Sequence, residues 1–327
     1  MKVASLLDCN VRRYLDDGEH FHWQDVLMLT EMSIAAFVTE VYLSVVLPMA
    51  GLVSQAPCPV APWATRLLLF FLAPMMYFLM YFSVCGGIFY TYTYRFPEEG
   101  RRLSIQNKAM TSLETRRAIV FSCKSILSVS AVSAYPYYAI QGWTNLYWGF
   151  PRMSDAPYLL CAYIFVDISA YLVHRMLHRP WWYRHVHKAH HLWKSPNAFV
   201  VSALHPVEFL ALTVCTLSVL AALPLSVCSA CFLLAWIFVC NAIDHSGLEL
   251  HTSGWLAWLF WQAPVTFHDN HHAFFHANYG AMVDWWDRIG GTYYNPQEHV
   301  GLSLGEAEFR SVRTLRTSCE NHRGKMQ

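Results

Sequence analysis

Charge is scarce in this chain. Only 14% of its 327 residues are Asp, Glu, Lys or Arg, against about a quarter in a soluble domain. So little charge leaves too few ionised groups to cover a water-facing surface. The charges nearly cancel, to a net +1, and give no electrostatic footprint for nucleic acid. Ten cysteines are present without a disulfide framework. Most lie in apolar runs, where Cys packs as a small hydrophobe. Cys228 and Cys231 form a lone CxxC with no second pair, so packing is expected of them rather than zinc or redox chemistry. HExxH is absent, which removes the commonest zinc-hydrolase signature. Residues 12–23 are polar and mixed in charge, so no cleavable signal peptide is expected. Internal repeats, low-complexity tracts and strand-period alternation are lacking as well.

What is there is apolar and aromatic, 55% and 16% of the chain. Leu27–Val53, Leu67–Tyr94, Ala118–Ile140 and Tyr158–Val173 are four runs of spanning character, where about 20 residues suffice. Pro-rich 55–63 separates the first two, and Tyr90, Tyr92 and Tyr94 suit a membrane–water boundary. Phe209–Ile243 carries no charge over 35 residues, with Pro224 near its centre, and reads as a helical hairpin. Residues 95–117 and 175–194 carry six and five basic residues, whereas 54–66 and 141–156 carry one each. The positive-inside rule then puts the N-terminus, residues 1–25 and 175–194 on the cytosolic side. The fold expected is an all-α integral membrane bundle of about four spans plus the hairpin, with a cytosolic helical cap. Residues 1–149 are expected to form the N-terminal membrane region, 150–295 the domain that holds the histidine segments described next, and 296–327 a polar tail.

Thirteen of the 17 His lie between 174 and 276. His174 and His178 are four apart and share a helical face. His187, His190 and His191 repeat an i, i+3, i+4 spacing, as do His268, His271 and His272. His185 falls two before His187 and points away. A lone His of this kind is a packing residue; three clusters are not, because neutral imidazoles lose solvation on burial and charged ones repel. Eight converging imidazoles suit two metals, and all-nitrogen ligation suits Zn, Fe, Cu or Ni. Asp167, Tyr171, His174 and His178 form one polar stripe. Asp167 there either orients an imidazole or makes a buried helix–helix hydrogen bond. Such clusters could also serve a metal transporter, but a transporter keeps its ligands near mid-membrane, and these sit at span ends. A non-catalytic relative of a metalloenzyme is a third reading.

HxxxH (174–178), HxxHH (187–191) and HxxHH (268–272), with HPVE (205–208), NAIDHSG (241–247) and NYGAMVDWWDRIGGT (278–292), resemble the fatty acid hydroxylase/sterol desaturase superfamily. The resemblance covers roughly residues 150–295. It implies a non-haem di-iron enzyme of the endoplasmic reticulum that uses O2 as cosubstrate. Zinc can take the iron sites on purification. Electrons are implied to come from a separate cytochrome b5 or similar carrier with its NAD(P)H reductase. The implied substrate is a membrane lipid, a sterol before a sphingoid base or fatty acyl chain, and the boxes alone do not separate hydroxylation from desaturation. His245, in DHSG, is implied as a further metal ligand beside the eight box histidines. His251 is a second candidate, and His205 and His276 are expected close to the site. Trp285 and Trp286 are expected to anchor the cap at the interface, and Asp287 and Arg288 to form an ion pair or cap.

Overall fold

The computed structural model describes residues 63–128, 144–250 and 262–296. The expected first span, the 55–63 loop up to residue 62, most of the third span, the C-terminal tail and His251 lie outside the described residues. Helix α1 (Trp63–Tyr90) runs through Pro74 and continues as a π turn, Thr91–Arg95. Helix α2 is Pro97–Leu103. Helix α3 is Ser112–Leu127, begun by a reciprocal capping box between Thr111 and Glu114. It starts before the third apolar run, because the cap fixes its first turn.

Helix α4 (Asp155–Leu177) is followed by short α5 (Pro180–His185) and two 3-10 turns, His187–Leu192 and Ala198–Val200. The hairpin forms as expected: α6 (Pro206–Ala222) and α7 (Val227–Asp244) flank a turn that contains Pro224. Helices α8 (Val265–Phe274) and α9 (Trp285–Gly290) complete the set. Among the described residues no strand forms. Three helical stretches are long and apolar enough to cross a membrane: 70–95, 155–177 and 227–244. Their large outward side chains include Phe71, Leu79, Phe165 and Phe232, an arrangement that lipid solvates and water does not. Cys228 and Cys231 also face outward on α7 rather than packing in the core.

Two packed layers position the rest. Tyr81 and Cys85 of α1 meet Ile126 of α3, Phe199 and Val201, and Phe238 and Ala242 of α7. The Phe199 carbonyl accepts from the Tyr81 hydroxyl at 2.8 Å and the Ser122 hydroxyl at 2.9 Å, so the 198–200 turn is pinned from two helices. Ala162 of α4 packs with Leu220, Leu225, Ala230 and Leu233 of the hairpin. Asp155 locks the hairpin turn, accepting from the Ser226 N–H at 3.0 Å, the Ser229 hydroxyl at 2.7 Å and the Tyr147 hydroxyl at 2.6 Å. With the hairpin fixed at that end, the C-termini of α4 and α7 arrive at the opposite end, beside α8.

Candidate metal centre

Nine imidazoles meet there, in two groups. His174, His178, His187, His191 and His271 form one; His190, His245, His268 and His272 form the other. Within each group the candidate ligand atoms lie within 4.8 Å of one another. The two HxxHH boxes are each divided between the groups. The first box gives His187 and His191 to the five-histidine group and His190 to the other. The second gives His271 to the five-histidine group and His268 and His272 to the other. Only the second box is α-helical. The first is a 3-10 turn after Val186, whose φ of −121° ends α5. The expectation that both boxes present one helical face is therefore corrected: tighter winding and a shared box serve two centres.

The orientation of six of the nine rings is set at Nδ1. A main-chain carbonyl can only accept, so a ring nitrogen bonded to one carries the proton. Nδ1 donates to the carbonyl of Tyr279 from His174 (2.9 Å), of Ala203 from His190 (3.3 Å) and of Asn241 from His245 (2.7 Å). It donates to Ala277 from His271 (2.7 Å) and to Trp193 from His272 (3.1 Å). His187 donates instead to the Glu208 carboxylate at 2.7 Å. Nε2 is left with its lone pair, directed inward.

The inward contacts then carry the chemical information. His174 and His187 face each other Nε2 to Nε2 at 3.0 Å, and His190 and His245 at 3.2 Å. Carbonyls fix the protons of His190 and His245 at Nδ1, so their contact is lone pair against lone pair, not a hydrogen bond. Nε2 of His178 and of His272 is buried with no partner. Burial pushes the imidazoles toward the neutral, coordinating form: His187 falls to about 3 and His245 to about 4. His190, His191, His268, His271 and His272 fall well below the ordinary value, through desolvation first and neighbouring imidazoles second. A cation in each group turns repelling lone pairs into ligands, so the donor set fits two metal ions. The C-termini of α4 and α7 end at His178 and His245, and the partial negative charge there favours cations. Tyr183, Phe275 and Tyr279 wall the five-histidine group, with ring centroids 4.8 Å from His178 (Tyr279) and 5.0 Å from His191 (Phe275).

Other expected residues stand elsewhere. Asp167 touches no imidazole: its carboxylate accepts from the Met282 N–H at 2.8 Å and the Trp286 indole at 2.7 Å. Trp286 thus anchors α9 to α4 inside the protein, while Trp285 is exposed. Asp287 does not pair with Arg288, which binds Asp284. Asp287 accepts from the N–H groups of Tyr279 and Gly280 and the Thr292 hydroxyl, at 2.8, 2.6 and 2.6 Å. It folds the loop whose Tyr279 carbonyl orients His174. His205 belongs to neither group and caps α6, accepting from the Val207 N–H at 3.3 Å. His276 is exposed, since α8 stops at Phe274 and Phe275 turns left-handed at φ 65°; helical periodicity does not extend that far. His185 is exposed and apart, as expected. Glu208 and the Asp287 loop were missed as supports. Both sit in quoted motifs, but nothing in their spacing tells which ring they reach.

Residues 159–292 match the fatty acid hydroxylase family, and all nine rings lie within that stretch. That stretch is similar to the fatty acid hydroxylase/sterol desaturase superfamily. It is similar to rat lathosterol oxidase, 27% identical over 247 residues, which are 69% of this chain and 74% of the relative. Human lathosterol oxidase is 26% identical over 209 residues, 58% of this chain and 64% of the relative. A Delta(7)-sterol 5(6)-desaturase of Leptosphaeria maculans is 28% identical over 178 residues, 53% of this chain. The chain spans about half the length of that fungal relative, 48%. No solved structure matches the chain.

Proposed function

We propose that this membrane protein is an O2-dependent oxidoreductase that desaturates a sterol at a histidine-held pair of irons. The observation that carries the reading is the convergence of nine imidazoles in groups of five and four, at the ends of apolar helices. The names of the relatives favour a sterol over a sphingoid base or fatty acyl chain, and a double bond over a hydroxyl group. His174, His178, His187, His191 and His271 would hold one iron, and His190, His245, His268 and His272 the other. A bound iron pair supplies the O2 activation needed to break an unactivated C–H bond. The chain's own side chains do the rest. Carbonyls and Glu208 engage Nδ1 of six of the nine rings and leave their Nε2 atoms for a metal. Tyr183, Phe275 and Tyr279 keep water from one half. In balance, the sterol loses two hydrogens, and O2, two electrons and two protons complete the formation of two waters.

The electrons would come from cytochrome b5 or a similar carrier with its NAD(P)H reductase. Exposed Arg179, Arg184 and Lys194 beside the first boxes suit an acidic carrier on the cytosolic face of the endoplasmic reticulum. The test pairs elemental analysis of the purified protein with sterol profiling of cells that have or lack the gene. Two irons per chain, and accumulation of a sterol one double bond short of product, are expected. A change in sphingoid bases alone would remove the sterol assignment; a metal-free active enzyme would remove the whole reading.

A further inference from the structure

The rings are not backed alike. Five Nδ1 atoms donate to main-chain carbonyls, whereas His187 donates to a carboxylate. Among the described residues no other carboxylate hydrogen-bonds any of the nine rings. Glu208 is 2% exposed and comes from the first turn of α6, where the His205 cap and Pro206 fix its backbone. Its Oε2 is buried without a partner. No Lys or Arg pairs with it among the described residues. One ring N–H does not offset the desolvation of a buried carboxylate. A cation on the far nitrogen of the same ring does, because charge is transmitted through the imidazole. A carboxylate behind a ligand ring also raises that ring's basicity and fixes its tautomer.

We propose that Glu208 is a positioning residue that makes the two halves of the centre unequal, so that the five-histidine group holds its metal more tightly than the four-histidine group. This rests on the two-metal reading above. The asymmetry comes from a single side chain: carbonyl-backed His190, His245 and His272 lack the negative charge that stands behind His187.

The full chain, loaded with iron(II), is mixed with excess chromogenic chelator, and metal release is followed in time. Wild type is expected to release two metals in two phases. Glu208→Gln retains an oxygen that accepts from His187 but removes the charge, so a purely structural role would leave release unmoved. It is expected to speed the slow phase about 10–100-fold and to leave the fast phase alone. Two further variants assign the phases without relying on that one: His187→Ala should remove the slow phase and His245→Ala the fast one. An unchanged slow phase in Glu208→Gln, equal acceleration of both phases, or loss of the fast phase in His187→Ala would each overturn the proposal. Those results, obtained with two metals bound to wild type, leave the two-metal reading standing. A wild type that binds none sinks both.

Discussion

At the residue scale, the tautomer decides what a histidine can be. Once Nδ1 is committed to a carbonyl, Nε2 has a lone pair and nothing to donate. Lone pairs opposed at 3.2 Å between His190 and His245 need a cation. The division of each box yields a selective prediction. His271→Ala should lower metal content from the five-histidine group and His190→Ala from the four-histidine group, each by about one ion per chain, with turnover abolished in both and membrane insertion intact. His185→Ala should retain both metals. Elemental analysis beside an activity assay reads this, and two metals with full turnover in His190→Ala would refute the assignment. Protons compete for the same lone pairs. The folded-state values of His187 and His245, about 3 and 4, lie below the ordinary 6.5, so the unfolded chain takes up protons first as pH falls. Their stabilising contribution is complete above 6.5 and is lost toward pH 3. Chelator-stripped protein should therefore show a thermal midpoint that is level above neutrality and declines below it, with metal delaying the decline. A midpoint level across the acid range in stripped protein would count against it.

At the element scale, the loop from Asn278 to Thr292 acts as a bracket between α4 and α8. Asp287 gathers three donors at its base, and Gly280 lets it close, since a Cβ there would sit 2.5 Å from the Val283 carbonyl and 2.9 Å from Asp287. Asp287→Ala leaves two buried N–H groups without acceptors, at about 1–3 kcal/mol each. It should lower the thermal midpoint and, by releasing the Tyr279 carbonyl from His174, weaken metal binding in the five-histidine group. Unchanged metal affinity in a destabilised Asp287→Ala would separate the loop from the centre. This bracket shows what the sequence could and could not reveal. The histidines were legible because imidazoles at helical spacing are improbable as packing residues. Their anchors were not, because five of them are main-chain carbonyls with no residue signature. The sixth, Glu208, lies 21 residues from His187, a separation that no local period encodes. The 3-10 winding of 187–192 was hidden as well, since HxxHH fits either helix. His276 joins neither ligand group because α8 ends at a left-handed stop before it, yet it stands near enough to His178 to disfavour protonation there.

At the scale of the whole molecule, the apolar runs 67–94 and 158–173 announced α1 and α4, and Pro224 announced the hairpin. How the pieces meet depends on contacts between distant segments, such as Asp155 with the 226–229 turn. The two ligand groups join α4, the 187–192 turn, α7 and α8, so bound metal ties together four segments that otherwise rely on packing. A ligand that binds only the folded state stabilises it by mass action. Chelation should thus lower the thermal midpoint in detergent, and readdition of iron(II) should restore it; an identical midpoint with and without metal would show that the fold does not depend on these ties. The carbonyl backing has a further outcome. Replacing the side chain of Ala203, Ala277 or Asn241 leaves the peptide oxygen where it was, so the surroundings can be re-lined for a differently shaped lipid while the rings keep their aim, and chemistry and substrate choice can drift apart within one scaffold.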